Sequence, residues 1–232
     1  MAHEIEKQNA AAAALDYVED GMTIGLGTGS TANFFVEMLA EEIAEGLVVR
    51  GVPTSEATRR LAESLGVPLV DIEQVDRIHL TVDGADELDE SAQLIKGGGG
   101  ALLREKIVAN ASDLMIVIAD PSKQVQSLGQ FPLPVEVTPF GYTITAKKVY
   151  DALCAAGVLR PRIKVRSGPS ATPIRTDGGN LILDCDCGVI PDAAKAAAHL
   201  AFVPGVVEHG LFTDLCRIVI IGSEDGATIF EY

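Results

Sequence analysis

The sequence predicts an α/β fold with a doubly wound, mostly parallel sheet and a smaller inserted α+β subdomain. Short runs rich in β-branched residues alternate with longer helical patterns through the first half of the chain. This alternation is typical of βαβ units in a Rossmann-like arrangement. From about residue 131 the elements become shorter and the alternation is lost. We therefore predict a Rossmann-like domain made of residues 1–130 and 205–232, with the subdomain at 131–204.

Apolar spacing and capping residues define the elements of the first half. The alanine-rich stretch 5–18 predicts a helix, the apolar residues from Phe34 to Ile43 predict a helix that begins near Thr31, and Ser55 and Gly66 bound a third helix at 55–65. A fourth helix is predicted at 102–111. β-Branched or alternating runs predict strands at 22–26, 47–52, 68–72, 77–82 and 114–119.

Shorter patterns define the second half. They predict strands at 135–137, 162–165 and 180–184 and a helix at 143–156. Residues 206–207, 217–221 and 227–230 are predicted to be closing strands, the last two joined by a turn at Asp225-Gly226.

Composition and charge exclude several classes of function. The 232-residue chain carries a formal net charge of −15. Nucleic acids and anionic membranes are therefore unfavourable partners, because the electrostatic attraction that dominates such binding would have the wrong sign. The charged N-terminus does not resemble a signal peptide, and no apolar run has the length of a membrane span. We predict a cytoplasmic protein.

The cysteines and histidines do not predict a metal site. The chain has four of each, with no C-x-x-C pair and no H-E-x-x-H arrangement. In a reducing compartment, we expect the cysteines to be buried thiols without a metal or redox role. They are Cys154, Cys185, Cys187 and Cys216.

Four consecutive glycines, Gly97, Gly98, Gly99 and Gly100, follow Lys96 and precede a helix that contains Glu105. Each glycine loses more backbone entropy on ordering than any other residue, so such a run needs a compensating reason. Glycines allow several N–H groups to converge on one oxyanion, with the lysine supplying a cation and the glutamate a base. The alternative is a flexible loop beside a charged helix.

A second glycine-rich loop, residues 25–31, lies at a predicted strand-to-helix turn. It is neither a dinucleotide fingerprint, because Ser30 takes the place of the third glycine, nor a P-loop. Its glycines and hydroxyls predict a phosphate site at the helix N-terminus, and the alternative is a well-capped helix. The predicted phosphate ligands are Thr28, Gly29, Ser30 and Thr31.

Two further loops follow predicted strands. Asp83-Gly84-Ala85-Asp86-Glu87 holds two carboxylates three positions apart that can face one cleft, although this can also be a solvated acidic turn with Asp86 or Glu87 facing solvent. Lys123 ends the segment 120–123, and a lone lysine on a loop usually faces solvent. Ligands of open parallel sheets bind at the carboxyl ends of strands, and we expect these loops, Thr28 and the glycine run to share that edge.

This set of groups suits proton transfer next to a carbonyl in a phosphorylated small molecule. A carboxylate removes the proton while a lysine and backbone N–H groups hold the enediolate oxygen. Glu105 is the best candidate for the base, and the reaction needs no cofactor.

The motifs resemble those of the A-type ribose-5-phosphate isomerase family, in order and spacing, over nearly the whole chain. The resemblance rests on residues 27–31, 82–87, 96–99, 104–106, 120–123, 129–137, 177–180 and 204–212. It implies interconversion of D-ribose 5-phosphate and D-ribulose 5-phosphate in the pentose phosphate pathway, without metal or nucleotide. It also implies a homodimer or homotetramer with subunit contacts through the subdomain.

The resemblance assigns a role to each candidate residue. It makes Glu105 the base that moves the proton between C1 and C2, and Lys96 with the backbone of 97–99 the enediolate site. Asp83 and Asp86, in the loop with Gly84 and Ala85, would contact sugar hydroxyls and assist ring opening. The substrate-binding set would be Thr28, Ser30, Thr31 and Lys123, with Lys7 reaching the phosphate. Gly100, which the family often replaces with alanine, would have a steric role.

Three alternatives remain at this point. A catalytically silent sugar-phosphate sensor shares the fold, but we expect such a protein to carry a DNA-binding domain, for which the chain has no room. An isomerase of an amino-sugar or thio-sugar phosphate would use the same chemistry. Dinucleotide-dependent oxidoreduction is the third alternative.

Overall fold

A computed structural model describes residues 3–232, which form six helices and thirteen strands. The helices are α1 Glu4–Leu15, α2 Ser30–Glu45, α3 Glu56–Ser64, α4 Leu102–Asn110, α5 Tyr142–Ala155 and α6 Ala193–Ala201. The strands are β1 Thr23–Leu26, β2 Arg50–Pro53, β3 Leu80–Asp83, β4 Glu87–Leu88, β5 Leu94–Ile95, β6 Met115–Ala119, β7 Leu133–Val137, β8 Arg162–Val165, β9 Leu181–Asp186, β10 Val206–His209, β11 Leu211–Phe212, β12 Ile218–Ser223 and β13 Gly226–Glu231. Short 3₁₀ helices occur at Ile72–Gln74 and Pro121–Lys123.

The chain divides into two compact units, each made from separate segments. The first unit contains the residues through Ala85, Arg104–Gln124 and Asp214–Tyr232, and the second contains Asp86–Leu103 and Val125–Thr213. The boundaries predicted at 131 and 204 differ from this division. The second unit begins earlier and ends later because β4, β5 and β11 pair with one another and β10 pairs with β7.

The first unit contains a six-stranded sheet in the order β13-β12-β6-β3-β1-β2. Five strands are parallel, and β13 alone pairs antiparallel, with β12. If the five parallel strands are numbered 1 to 5 along the chain, their spatial order in the sheet is 2-1-3-4-5. The direction of winding therefore reverses between β1 and β3. This arrangement confirms the predicted doubly wound, mostly parallel sheet, and it places the topological switch point between those two strands.

Helices cover the sheet of the first unit. Every residue of β1, β3 and β6 is buried, as expected for strands of a parallel sheet covered on both faces. Helix α1 lies against β12 so closely that a Cβ on Gly222 would be 1.7 Å from the carbonyl oxygen of Glu6. The small side chains Ala10, Ala11 and Ala14 of α1 are fully buried, which explains why an alanine-rich sequence forms this helix.

The second unit contains two antiparallel sheets. The larger has the order β10-β7-β9-β8 and shares a core with α5 and α6, and the smaller has the order β11-β5-β4. Val206 pairs with Val137 of β7, so the prediction that residues 206–207 form a closing strand of the parallel sheet is wrong. The other two closing strands, β12 and β13, are confirmed.

Most predicted elements are confirmed with shifted ends. The strand predicted at 68–72 is wrong, because this segment makes only a single bridge, between Leu69 and Gly51, before a 3₁₀ helix begins at Ile72. Four elements, β4, β5, β11 and α6, were not predicted. The three strands have two residues each and therefore no periodicity, whereas α6 carries a signal in its N-cap Asp192, whose side chain accepts from Lys195 N.

Candidate active site

The first unit brings three predicted loops to one edge of its sheet. Residues 27–31 follow β1, Asp83 ends β3, and the segment 120–123 follows β6. Since these strands are parallel, all three loops leave the sheet at its carboxyl edge, as predicted. The glycine run differs from the prediction, because it follows β5 of the small antiparallel sheet in the second unit.

Gly27 allows its loop to lie directly against the end of β3. A Cβ on Gly27 would lie 2.5 Å from Cα of Asp83, so no other residue fits without moving the backbone. Asp83 is fully buried, and its Oδ1 accepts hydrogen bonds from Thr28 N at 3.0 Å and Gly84 N at 2.7 Å. These backbone donors hold the carboxylate at the switch point.

The hydroxyl of Thr28 joins a cluster of hydroxyl groups at the start of α3. Its Oγ1 lies 2.8 Å from Thr54 Oγ1, 2.9 Å from Ser55 Oγ and 3.0 Å from Thr58 Oγ1. Thr58 Oγ1 in turn donates to Gly27 O at 2.9 Å. The cluster therefore anchors the loop, and this role for the Thr28 side chain was not predicted.

The N-terminus of α2 has the features of an anion site. Gly29, with φ of 119°, precedes the first helical residue, Ser30. The Nζ of Lys7, which α1 supplies, donates to Ser30 Oγ at 3.0 Å. Thr31 is buried, so its side chain is directed into the unit. An ammonium group beside a helix N-terminus favours an anion such as phosphate.

Glu105 and Lys123 also belong to the first unit. Glu105 is the fourth residue of α4 and is only 3% exposed, whereas glutamates are seldom buried. Lys123 is half-buried at the end of a 3₁₀ helix. The buried carboxylate of Asp120 caps that helix by accepting from Ser122 N at 3.0 Å, and so it holds the lysine near the sheet edge.

The glycine run of the second unit is an ordered turn and not a flexible loop. Gly97 and Gly100 have φ of 101° and 84°, and Gly100 N donates to Gly97 O at 3.0 Å. Gly98 N donates to Oδ2 of Asp86 at 2.7 Å. A Cβ on Gly98 would lie 2.5 Å from the other oxygen of that carboxylate. The close approach of Asp86 therefore leaves room only for glycine unless that side chain moves.

Lys96 is buried at the start of the run. It is 2% exposed, its N–H donates to Gly210 O at 2.8 Å, and its ammonium lies 5.6 Å from the centre of the Phe212 ring. A ring face attracts the cation and partly compensates its loss of water. Phe212 ends the family motif at residues 204–212, but its contact with the lysine was not predicted.

Two predictions about neighbouring residues are corrected. Glu87 does not face solvent: it is buried, and its carboxylate accepts from Gly129 N at 2.7 Å and from Phe131 N. Gly100 does not have a steric role, since a Cβ there would meet only Ile182 Cδ1 at an ordinary 3.4 Å. Its positive φ is the reason for glycine.

The sequence did not predict the contact between the glycine run and Arg166, which is itself bound by Asp184. Arg166 donates to the carbonyl oxygens of Gly97 and Gly98 at 2.8 and 3.0 Å. It lies 69 residues from Gly97 in the chain, so no local pattern could identify it.

The cysteines conform only in part to their prediction. Cys185, Cys187 and Cys216 are buried, whereas Cys154 is exposed. Burial raises the pKa of the Cys187 thiol to about 12 and that of Cys185 well above its usual value. Within residues 3–232, no group of three or more His, Cys, Asp or Glu side chains is placed to hold a metal ion, and no helix is long and apolar enough to cross a membrane.

Comparison with known proteins identifies similar sequences and structures. Residues 50–226 match the family model of ribose 5-phosphate isomerase A (phosphoriboisomerase A). The chain is 56% identical to ribose-5-phosphate isomerase A of Maricaulis maris over 227 residues, which are 97% of each protein. It is 38% identical to the solved ribose 5-phosphate isomerase A of Methanocaldococcus jannaschii, with a TM-score of 0.91 over all of both chains. A D-ribose-5-phosphate isomerase in complex with phospho-erythronic acid matches with the same identity and TM-score over 99% of each chain.

Proposed function

The chain belongs to the ribose 5-phosphate isomerase A family, and on that premise we propose that it interconverts D-ribose 5-phosphate and D-ribulose 5-phosphate. The similarity covers 97% of the chain at 56% identity, so both units have counterparts in the relative. It favours this activity over a silent sugar-phosphate sensor, an amino-sugar or thio-sugar isomerase and a dinucleotide-dependent oxidoreductase.

We propose that the phosphate group binds at the N-terminus of α2. The hydrogen bond from Lys7 Nζ to Ser30 Oγ supports this assignment, since it brings a cation to the helix end. Gly29 and Thr31 complete the loop, and Lys123 follows β6 at the same sheet edge. The chain's net charge of −15 makes these local cations necessary for an anionic substrate.

Asp83 and Asp86 are proposed to contact sugar hydroxyls and to assist opening of the furanose ring. Backbone N–H groups hold both carboxylates: Thr28 and Gly84 donate to Asp83, and Gly98 donates to Asp86. A carboxylate fixed in this way meets a hydroxyl in one orientation. Gly84 and Ala85 link the two aspartates in the chain. That both carboxylates face the same substrate stays a prediction.

Glu105 is proposed to move the proton. Its carboxylate takes the proton from C2 of the open-chain aldose, and the electron pair forms a C1–C2 double bond while the carbonyl oxygen becomes an enediolate oxygen. Return of the proton to C1, with transfer of the O2 proton to O1, gives the ketose. No electrons leave the substrate, so the reaction balances without a redox cofactor.

The ammonium of Lys96 and the N–H groups of Gly97, Gly98 and Gly99 are proposed to stabilise the enediolate oxygen. A buried cation interacts more strongly with a developing negative charge than an exposed one, because water screens it less. The single observation that carries this site assignment is the ordered glycine run, in which Gly98 approaches Asp86 more closely than any Cβ would allow.

The experiment that tests the function is an assay of ribulose 5-phosphate formation. We expect turnover of ribose 5-phosphate that a chelator does not change, and weaker turnover of amino-sugar and thio-sugar phosphates. Binding of ribose 5-phosphate without turnover would instead support a sensor, and tight NAD binding in equilibrium dialysis would support an oxidoreductase.

Glu105→Gln tests the base within this assay. The amide keeps the shape of the side chain but cannot accept the proton, so we expect a fall in kcat of about 10²- to 10⁴-fold. Glu63→Gln, on the exposed side of α3, is the matched control and should leave kcat within about twofold. Near wild-type turnover by Glu105→Gln would overturn the proposed mechanism.

Assembly and location complete the proposal. We propose a homodimer or homotetramer whose contacts lie in residues 131–204, a segment with the exposed apolar side chains Phe140, Ile144 and Phe202. Light scattering of the purified chain measures this, and a monomer would contradict it. A cytoplasmic location stays a prediction from the sequence.

A further inference from the structure

Arg166 holds the glycine run from the side opposite Asp86. It follows β8, and its Nη1 donates to two successive carbonyl oxygens, Gly97 O at 2.8 Å and Gly98 O at 3.0 Å. The side chain is only 15% exposed. Because one guanidinium nitrogen binds both carbonyl oxygens, it fixes the orientation of the Gly97–Gly98 and Gly98–Gly99 peptide groups.

The first of these peptide groups connects Arg166 with Asp86. The carbonyl of Gly97 and the N–H of Gly98 belong to the same planar peptide, in which they point in opposite directions. Arg166 binds the oxygen at one end, and the Asp86 carboxylate binds the N–H at the other end at 2.7 Å. Arg166 and Asp86 therefore hold the same peptide group from its two ends.

The second peptide group directs the N–H of Gly99. Because Gly98 O accepts from Arg166, the N–H of the same planar peptide points away from the arginine. A cation on a carbonyl oxygen also polarises the peptide and makes its N–H a stronger donor. Gly99 is exposed, so this donor lies at the surface of the turn.

Asp184 fixes the arginine itself. Arg166 Nε donates to both carboxylate oxygens of Asp184, at 3.2 and 3.0 Å, and Nη2 donates to one of them. Asp184 lies within β9, which pairs on both sides with neighbouring strands. This bidentate ion pair between Arg166 and Asp184 fixes the guanidinium in one orientation, in which Nη1 is directed at the glycine run.

We propose that Arg166 is a positioning residue of the isomerase: it aligns and polarises the peptides of Gly97 and Gly98 so that the Gly99 N–H meets the enediolate oxygen and Asp86 is held for the substrate. This proposal rests on the proposed role of the glycine run. It assigns to a residue of the second unit a function that acts only through backbone groups and does not require the arginine to touch the substrate.

Arg166→Met tests the proposal with Arg162→Met as the matched control. Arg162 begins β8, the strand that Arg166 follows, and forms an ion pair with Asp186 of β9, but it is 78% exposed and is not among the donors to the glycine run. Both variants remove one arginine from an ion pair with an aspartate of β9. A difference between them therefore reports the contact with the glycines.

We expect Arg166→Met to lower kcat by about 10²-fold with KM within about threefold, as for loss of one transition-state donor. Arg166→Lys keeps the charge but not the fork, so its kcat should fall about 10-fold. Asp184→Asn should also lower kcat, since the guanidinium loses its fixed orientation. Arg162→Met should stay within about twofold in both constants.

Inhibition constants distinguish a positioning role of Arg166 from a purely structural role. Phospho-erythronic acid carries a carboxylate, whose two oxygens resemble those of an enediolate, whereas inorganic phosphate tests the phosphate site alone. We expect Arg166→Met to raise the inhibition constant of phospho-erythronic acid about 10-fold and to leave that of inorganic phosphate unchanged. Equal changes for both inhibitors would overturn the proposal, because they would indicate general distortion.

Two further results would overturn the proposal for Arg166. One is an equal kcat for Arg166→Met and Arg162→Met, and the other is a loss of kcat in Arg166→Met that matches its loss of folded protein in thermal unfolding. If Arg166→Met does not fold, Arg166→Lys takes its place in the comparison of kcat and of the two inhibition constants. The proposed function itself would be contradicted by a wild-type protein without isomerase activity or by a fully active Glu105→Gln variant. Neither result involves Arg166, so failure of the proposed function can be distinguished from failure of this inference.

Discussion

The two glycine-rich loops of this chain are held in different ways. The loop at residues 27–31 leaves a strand of the parallel sheet and packs against the end of the next strand, where Gly27 lies against Asp83. The run at 97–100 follows a two-residue strand, and side chains hold it instead: Asp86 from one side and Arg166 from the other. The first loop packs against strand backbone in addition to its bonds with Asp83 and the hydroxyl cluster, whereas charged side chains hold the second.

This difference separates stability from function. A residue that fits against backbone cannot be enlarged without moving the strands, whereas a residue that fits against a side chain can be enlarged if that side chain moves. Enlarging Gly27 in the first loop should therefore destabilise the fold, whereas enlarging Gly98 in the second should mainly lower the activity.

Gly27→Ala should have the largest effect. The added Cβ would lie 2.5 Å from Cα of Asp83, and overpacking against backbone costs about 3 kcal/mol of unfolding free energy. Chemical denaturation measures this cost. An alanine variant as stable as the wild type would show that the loop does not pack against β3 as described.

Gly98→Ala should lower kcat by about 10²-fold while the unfolding free energy changes by about 1 kcal/mol or less. Its Cβ would lie 2.5 Å from a carboxylate oxygen of Asp86, and a side chain can move away. Steady-state kinetics and thermal unfolding of the same preparation check both values. If Gly98→Ala instead unfolded the protein and kept its turnover, the comparison between the loops would be reversed.

Gly100→Ala should have a smaller effect, confined to stability. The φ of 84° costs an alanine about 1 kcal/mol, but its Cβ would meet only Ile182 at 3.4 Å. We expect kcat within about twofold of the wild type. A large fall in kcat would mean that Gly100 also takes part in the reaction.

The smallest effect is expected for the buried thiols of Cys185 and Cys187, in β9 and just after it, which should react slowly with alkylating reagents near neutral pH. Because burial raises the pKa of Cys187 to about 12, iodoacetamide at pH 8 should modify the exposed Cys154 first. The folded pKa lies above the unfolded value, so this group's contribution to stability is complete below about pH 9 and is lost as the pH rises towards 12. Peptide mapping checks the order of modification. Early labelling of Cys187 would show that the strand carrying Asp184 opens readily.

The sequence predicted the first unit better than the second. Strand-to-helix turns of a parallel sheet carry local signals, so the loop at Thr28 and the end of β3 at Asp83 could be located from residue types alone. The parallel order of the strands then brings these loops together. The hydroxyl cluster around Thr28 was missed, because its partners lie on another element.

The second unit depends on contacts between distant residues. Asp86 and Gly98 are 12 residues apart, and Arg166 and Gly97 are 69 apart, with two-residue strands between them that have no periodicity. The glycine run was identified as a candidate cradle from its composition. Its geometry required the antiparallel pairing of β8 with β9, which places Asp184 beside Arg166.

The most direct test of the central claim, an enediolate formed by Glu105, is isomerisation in D₂O. The account predicts that the wild type incorporates deuterium at C1 of ribulose 5-phosphate and at C2 of ribose 5-phosphate as equilibrium is reached, and that Glu105→Gln slows incorporation and isomerisation together. Isomerisation and deuterium incorporation by Glu105→Gln at the wild-type rates would contradict the account.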